Sequence, residues 1–308
     1  NNITKKVLKR KKFVMEVISM EIKRDYYLKE IIDRMDNGLI KVITGIRRCG
    51  KSYLLNTIFK DYLLKQGIDK EHIIQLSLDE NKNKKYLNPD ALDEHIRELI
   101  KDDKKYFIIL DEIQKVKDFE SVLIGFMHIS NVDIYVTGSN SKFLSSDIIT
   151  EFRGRGDEIR VYPLSFSEFY SIYEGSEEKA LNEYYTYGGL PLAVLAKTAD
   201  AKINYLNTQK NNVYINDIID RNKIQNKEEF EMLVQIIASD IGSLTNPLKL
   251  SNSFKERDKY SSMTDKTIYN YLSYLQDAFL IEKAKRFDVR GVSGFAPGDT
   301  HIETAVLK

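Results

Sequence analysis

A single cysteine, Cys49, excludes any disulfide within the chain and fits a reducing cytosol. Charge of one sign is also missing. The 47 Lys and Arg against 46 Asp and Glu leave a formal net charge of +1, so no global field directs the chain to nucleic acid or acidic substrates. No apolar run approaches the length of a membrane span, and no signal-peptide pattern is present. The expectation is a cytoplasmic chain without a membrane partner. The four histidines (His72, His95, His128 and His301) lack ligand spacing, which argues against a dedicated transition-metal site. Internal repeats and low-complexity tracts are absent too.

What is present is 308 residues with 42 % hydrophobic content, enough for two or three domains with real cores. Charge asymmetry is local. Lys5, Lys6, Lys9, Arg10, Lys11 and Lys12 crowd the first twelve residues with no acid among them. They read as a basic arm for nucleic acid or anionic lipid, or as a solvated terminus.

The most informative stretch is KVITGIRRCGKSYLLNTIF, residues 41–59. Leu39 to Thr44 is a short β-branched run that reads as a buried strand, and Ser52 to Phe59 has helical spacing. Between them, Gly45-x-x-x-x-Gly50-Lys51-Ser52 has the form of a phosphate-binding loop. Glycines at both ends let successive N–H groups converge on phosphate oxygens, and the helix N-terminus points at the same anion. Gly45, Ile46, Arg47, Arg48, Cys49, Gly50, Lys51, Ser52 and Tyr53 form the expected nucleotide cradle. Lys51 would reach the β- and γ-phosphates and the Ser52 hydroxyl would ligate Mg²⁺. Cys49 is either a redox switch on nucleotide binding or a small residue at a variable loop position.

Further along, residues 20–36 read as a helix and 72–78 as a strand. Residues 89–101 are helical, 106–110 a fully apolar strand, 119–128 helical, and 132–137 and 158–162 strands. Apolar strands alternating with helices mean a parallel sheet covered on both faces, with the ligand at the carboxyl ends of the strands.

Asp111 follows the apolar strand, where a carboxylate can hold Mg²⁺ through its water shell. Glu112, next to it, is placed to polarise the water that attacks the γ-phosphate. The strand over 132–137 closes on Ser139 and Asn140. Asn140 is the first choice for a γ-phosphate sensor and Ser139 the second, and either could instead cap a helix starting near Ser141. Arg153 and Arg155 flank Gly154 just before the last strand. They are candidates for an arginine finger, with Arg155 favoured, or for surface pairs with Asp157 and Glu158.

Five blocks in order (residues 22–55, 106–114, 134–146, 154–169 and 187–191) resemble bacterial and archaeal AAA-type ATPases whose ATPase domain precedes a domain of unknown function. The resemblance covers roughly residues 20–290. It implies ATP, Mg²⁺ and a P-loop NTPase (AAA-type) fold: an α/β parallel sheet with helices on both faces, followed by a helical lid and a winged-helix-like domain. It also implies roles for Lys51, Ser52, Asp111, Glu112 and Asn140 that agree with those above, and raises Arg155 as the finger. The corresponding division is a basic extension over 1–19, the ATPase domain over 20–165 and a lid over 166–228. A winged-helix-like domain over 229–290 and an atypical tail over 291–308 follow. That tail matches nothing expected of the family and reads as a truncated or altered end of the last domain.

In the C-terminal part, 230–241, 249–254 and 265–281 read as three helices. The last turns Ile268, Leu272, Leu275 and Phe279 inward, and Lys266, Thr267, Asn270, Ser273 and Tyr274 outward. This is the pattern of a winged helix, which reads duplex DNA or docks proteins. Nine Lys/Arg against six Asp/Glu over 247–290 are too weak a bias to decide between them. Glu112 and the arginine pair favour an Mg²⁺-dependent ATPase, with a homo-oligomer as the arrangement that would supply a finger in trans; the alternative is an ATP-gated switch with little turnover.

Overall fold

The computed structural model describes residues 22–138, 152, 154–239 and 246–282. Five parallel strands form one sheet: β1 (Ile40–Thr44), β2 (Ile73–Ser77), β3 (Tyr106–Asp111), β4 (Val132–Thr137) and β5 (Gly156–Arg160). Their spatial order is β2-β3-β4-β1-β5. β1 and β3 are buried along their whole length, as expected of central parallel strands covered on both faces. Lys41 is the one cation inside β1. Its ammonium pairs with Asp133 on β4 and donates to the Leu39 carbonyl at 2.8 Å. Tyr135 donates its hydroxyl to the same carboxylate at 2.7 Å. A charge buried among paired groups persists where a charge buried alone would not.

Helices cover both faces, as the alternation of elements predicts. On one face lie α1 (Asp25–Ile32) and α2, which runs from Lys51 to Lys65. On the other lie α3 (Pro89–Leu99) and α4 (Phe119–Met127), packed over Ile40, Val42, Ile108, Leu110 and Val136. Over Leu54–Phe59, α2 widens into a π-helical stretch. That stretch sets Leu54, Leu55 and Phe59 into the core against Ile43, Phe107, Ile109 and Tyr135.

Beyond the sheet the chain is helical: α5 (Phe166–Tyr170), α6 (Glu177–Tyr187), α7 (Pro191–Val194) and α8, which starts at Ala199–Thr208 and continues to Asn222. Ser165 and Glu168 close α5 with a reciprocal capping box, the two side chains each accepting from the other residue's backbone N–H. Then come α9 (Lys227–Ser239), α10 (Pro247–Arg257) and α11 (Asp265–Asp277). A third core joins the end of α8, through Ile215, Ile218 and Ile219, to Phe230, Leu250, Phe254, Ile268, Leu272 and Leu275. No helix among the described residues is long and apolar enough to cross a membrane.

Some expectations shift. β5 begins and ends two residues earlier than read, because as an edge strand it accepts polar residues that an apolar-run criterion skips. The helix read over 20–36 starts only at Asp25. Ile268, Leu272, Leu275 and Phe279 are buried as expected, whereas Tyr274, read as outward, leans against the third core. Ser139, Asn140, Arg153, the basic extension and the tail over 291–308 lie outside the described residues.

Candidate active site

The loop between β1 and α2 is held open by sterics and braced from outside. Gly45 sits at φ +134°, and a Cβ there would fall 2.0 Å from the Val161 carbonyl oxygen just past β5. Glycine alone fits this crossing. Gly50 (φ +102°) precedes the first turn of α2. Lys51 is buried, and its ammonium donates to the carbonyls of Gly45 (2.8 Å) and Ile46 (3.0 Å), so it spans the mouth of its own loop. Cys49 is fully buried, with Sγ 3.4 Å from the Val161 carbonyl, and thus serves as a small core residue of the loop.

The brace is Arg24, from the segment before α1. Its buried guanidinium donates to the carbonyls of Cys49 (3.1 Å) and Tyr162 (2.7 Å), pairs with Glu168 at 3.0 Å, and lies over the Tyr27 ring. On the far side Arg47 pairs with Asp217 of α8 at 3.4 Å, and Tyr214 donates to the Arg47 carbonyl at 3.0 Å. A cleft of about 110 Å³ beside the loop is lined by Gly45, Ile46, Tyr162 and Pro163, and by Phe279 and Glu282 after α11. Glu282 accepts from Arg160 at 3.1 Å.

Across the loop, one carboxylate oxygen gathers two hydroxyls. Ser52 donates to Asp111 Oδ1 at 3.0 Å, and Thr137 donates to the same oxygen. Thr137 in turn accepts the Glu112 N–H at 3.0 Å, which uses its hydroxyl as donor and acceptor at once. Burial pushes the Asp111 carboxyl above the ordinary carboxylate range, and the hydrogen bonds from Thr137 and Ser52 oppose it. A hydroxyl and a carboxylate in contact, beside a phosphate loop, are the hard oxygen donors that Mg²⁺ takes when it arrives with a nucleotide. Among the described residues no group of three or more His, Cys, Asp or Glu could hold a metal by itself. The donor set fits a metal shared with phosphate oxygens.

Glu112 turns the chain out of β3 in a left-handed conformation, φ +58°, uncommon for a residue with a Cβ. The side-chain amide of Gln114 donates to its Oε2. Sequence reasoning assigned no role to Arg24, Thr137 or Gln114. A hydroxyl ending the strand beside the acidic pair was the visible signal for Thr137.

Arg155 lies elsewhere. Ile40 N–H donates to its carbonyl at 2.9 Å, so it stands at the amino end of β1, while the loop is at the carboxyl end. Five strand residues separate the two ends by roughly 15 Å, more than twice an arginine side chain's reach. Arg155 is exposed and cannot touch a phosphate in its own chain's loop. The acids beside it are engaged by others: Asp157 accepts from Arg34 (3.1 Å) and Asn37 (2.8 Å), and Glu158 from Thr44 (2.5 Å).

A glycine loop after a central strand, with an acidic pair at the end of the strand two places away, defines a P-loop nucleotide-binding protein of the AAA type. An AAA domain model matches residues 37–170, and a domain of unknown function (DUF8612) matches 178–296. An uncharacterized protein of Haemophilus influenzae is 34% identical over 276 residues, covering 88% of this chain and 68% of that protein. Uncharacterized protein MJ1544 of Methanocaldococcus jannaschii is 30% identical over 285 residues, covering 87% of this chain and 60% of that one. The chain belongs to this family, in which an AAA domain precedes a domain of unknown function. It spans about two thirds of the length of these relatives. The second match coincides with the helical region that follows the sheet, so α6 to α11 are part of that domain. Among solved structures, the Aeropyrum pernix ORC1 protein, in complex with DNA, aligns at TM-score 0.37 and 12% identity, covering 87% of this chain and 86% of that one.

Proposed function

We propose that the chain is an Mg²⁺-dependent ATPase whose site is completed by a second copy. The observation that carries this reading is the Asp111 carboxylate in contact with Ser52, immediately before the left-handed Glu112. Binding of ATP draws the Lys51 ammonium from the Gly45 and Ile46 carbonyls to the phosphates. Ser52 and Asp111 would hold Mg²⁺, which would neutralise charge on the β- and γ-phosphates. Glu112 takes a proton from water as the water oxygen bonds to the γ-phosphorus. The bond to the β,γ-bridging oxygen breaks, leaving ADP and inorganic phosphate. Asn140 is assigned to sense the γ-phosphate. Arg155 of a neighbouring copy serves as the finger, with Arg153 its alternate; a finger in trans accords with Arg155 standing exposed at the far end of the sheet.

A second reading, an ATP-gated switch with little turnover, is favoured by the Arg47–Asp217 and Tyr214 contacts. They tie the loop to a helix that shares the third core. On either reading, α9 to α11 are taken as a winged helix that presents Lys266, Tyr269 and Asn270 outward to a partner, a protein or duplex DNA. ATP hydrolysis measured against protein concentration, with and without duplex DNA, separates the readings. Turnover that rises with concentration and vanishes in Glu112→Gln and Arg155→Ala supports the ATPase. Tight ATP binding with negligible turnover at every concentration refutes it.

A further inference from the structure

The turn that follows β3 holds a side chain that the reaction outlined above does not use. Ile113 and Val116 are buried and anchor a 3₁₀ turn over Ile113–Lys115, closed by Lys115 N–H to the Glu112 carbonyl (3.1 Å) and Val116 N–H to the Ile113 carbonyl (2.9 Å). Gln114 sits in this turn with its amide against the Glu112 carboxylate. An ionised carboxylate only accepts, so the amide must face it with Nε2. The consequence falls on the other end of the group. Gln114 Oε1 is buried and has no donor among the described residues. A buried acceptor is rarely left open in a folded protein, and this amide leaves one open while keeping its donor on Glu112. Its orientation follows Glu112 rather than its own hydrogen-bonding needs.

We propose that Gln114 is a positioning residue for hydrolysis, holding the Glu112 carboxylate in the orientation from which it takes the proton of the attacking water. The assignment rests on the ATPase reading. A glutamate side chain turns about three bonds and samples many orientations, most of them useless to a water aimed at phosphorus. The left-handed backbone of Glu112 fixes where the side chain starts, Thr137 pins its N–H, and Gln114 fixes where it ends.

The test compares kcat, KM for ATP and ADP affinity in the wild type, Gln114→Leu, the near-isosteric Gln114→Met, Glu112→Gln and the double variant Glu112→Gln/Gln114→Leu. Because Gln114 acts through Glu112, kcat in both Gln114 variants is expected to fall by about ten- to a hundredfold. KM and ADP affinity should stay within about twofold, and the double variant should be no slower than Glu112→Gln alone. Gln114→Met answers for the site if Gln114→Leu fails to fold. Wild-type turnover with an unchanged kcat in both Gln114 variants overturns the assignment. So does a double variant slower than Glu112→Gln by the full factor of Gln114→Leu, since a purely structural residue would give additive losses. A wild type that binds ATP and never hydrolyses it overturns the ATPase reading, and this assignment with it.

Discussion

If Arg155 serves a neighbouring copy, two inactive proteins should rescue each other. Glu112→Gln keeps a good finger on a dead site, and Arg155→Ala keeps a good site without a finger. A functional site in the mixture needs Glu112 from one chain and Arg155 from the next. In a one-to-one mixture with random exchange, half the chains carry Glu112, and half of their neighbours carry Arg155. About a quarter of all sites are therefore complete, whatever the number of copies in the assembly. Loss of a finger typically costs a factor of a thousand or more, about 4 kcal/mol of barrier, so a quarter of wild-type phosphate release would stand far above either parent. Wild type diluted one-to-one with the double variant sharpens the test. A finger in trans leaves about a quarter of the undiluted rate at equal total protein, whereas a finger in cis leaves about half. The assay is steady-state phosphate release at constant total protein after a subunit-exchange incubation. Mixtures that give only the mean of their two components would refute the reasoning and remove Arg155 from the site.

Other outcomes follow from the same geometry. Gly45→Ala should abolish folding or ATP binding, because its Cβ would stand 2.0 Å from the Val161 carbonyl oxygen; thermal melting and nucleotide binding check it. Arg24→Met removes the cation from Glu168 and two donors from loop carbonyls, and should cost about 3–5 kcal/mol in denaturant melts. The Asp111 carboxyl is pushed up by burial, so the folded state holds its proton to higher pH than the unfolded chain. Stability is therefore lost as pH rises from the unfolded value through the raised folded one, and the loss persists at neutral pH. Asp111→Asn should raise the melting temperature of the ligand-free protein above wild type near pH 7, with the gap closing toward pH 4, while Mg²⁺-dependent ATP binding falls.

The parts legible in the sequence were those written in local pattern. Apolar runs gave four of the five strands within one residue at either end and the fifth within two, and the spacing of Gly45, Gly50 and Lys51 gave the loop. What stayed hidden depends on which strand lies beside which. Lys41 reads as an intruder in a buried strand until β4 is known to lie next to β1 and bring Asp133 to it. Thr137 gains its role only because β4 also borders β3. Arg155 looked close to the site along the chain, and only the register of Ile40 with Gly156 sets it at the opposite end of the sheet. The π-helical stretch of α2 was invisible for another reason. Leu54, Leu55, Ile58 and Phe59 satisfy helical spacing whichever way the turn is wound.

The separation of loop and Arg155 to opposite ends of the sheet gives each chain a head and a tail. A contact that seats one chain's tail on the next chain's head uses two different surfaces, so it repeats in one direction until it either closes on itself or runs out. In an open row the chain at one end has no neighbour to serve it, and one site stays silent however long the row grows. A closed ring has no such end. Turnover per chain would then be a census of ends, lowest in the shortest rows and levelling off once the assembly closes.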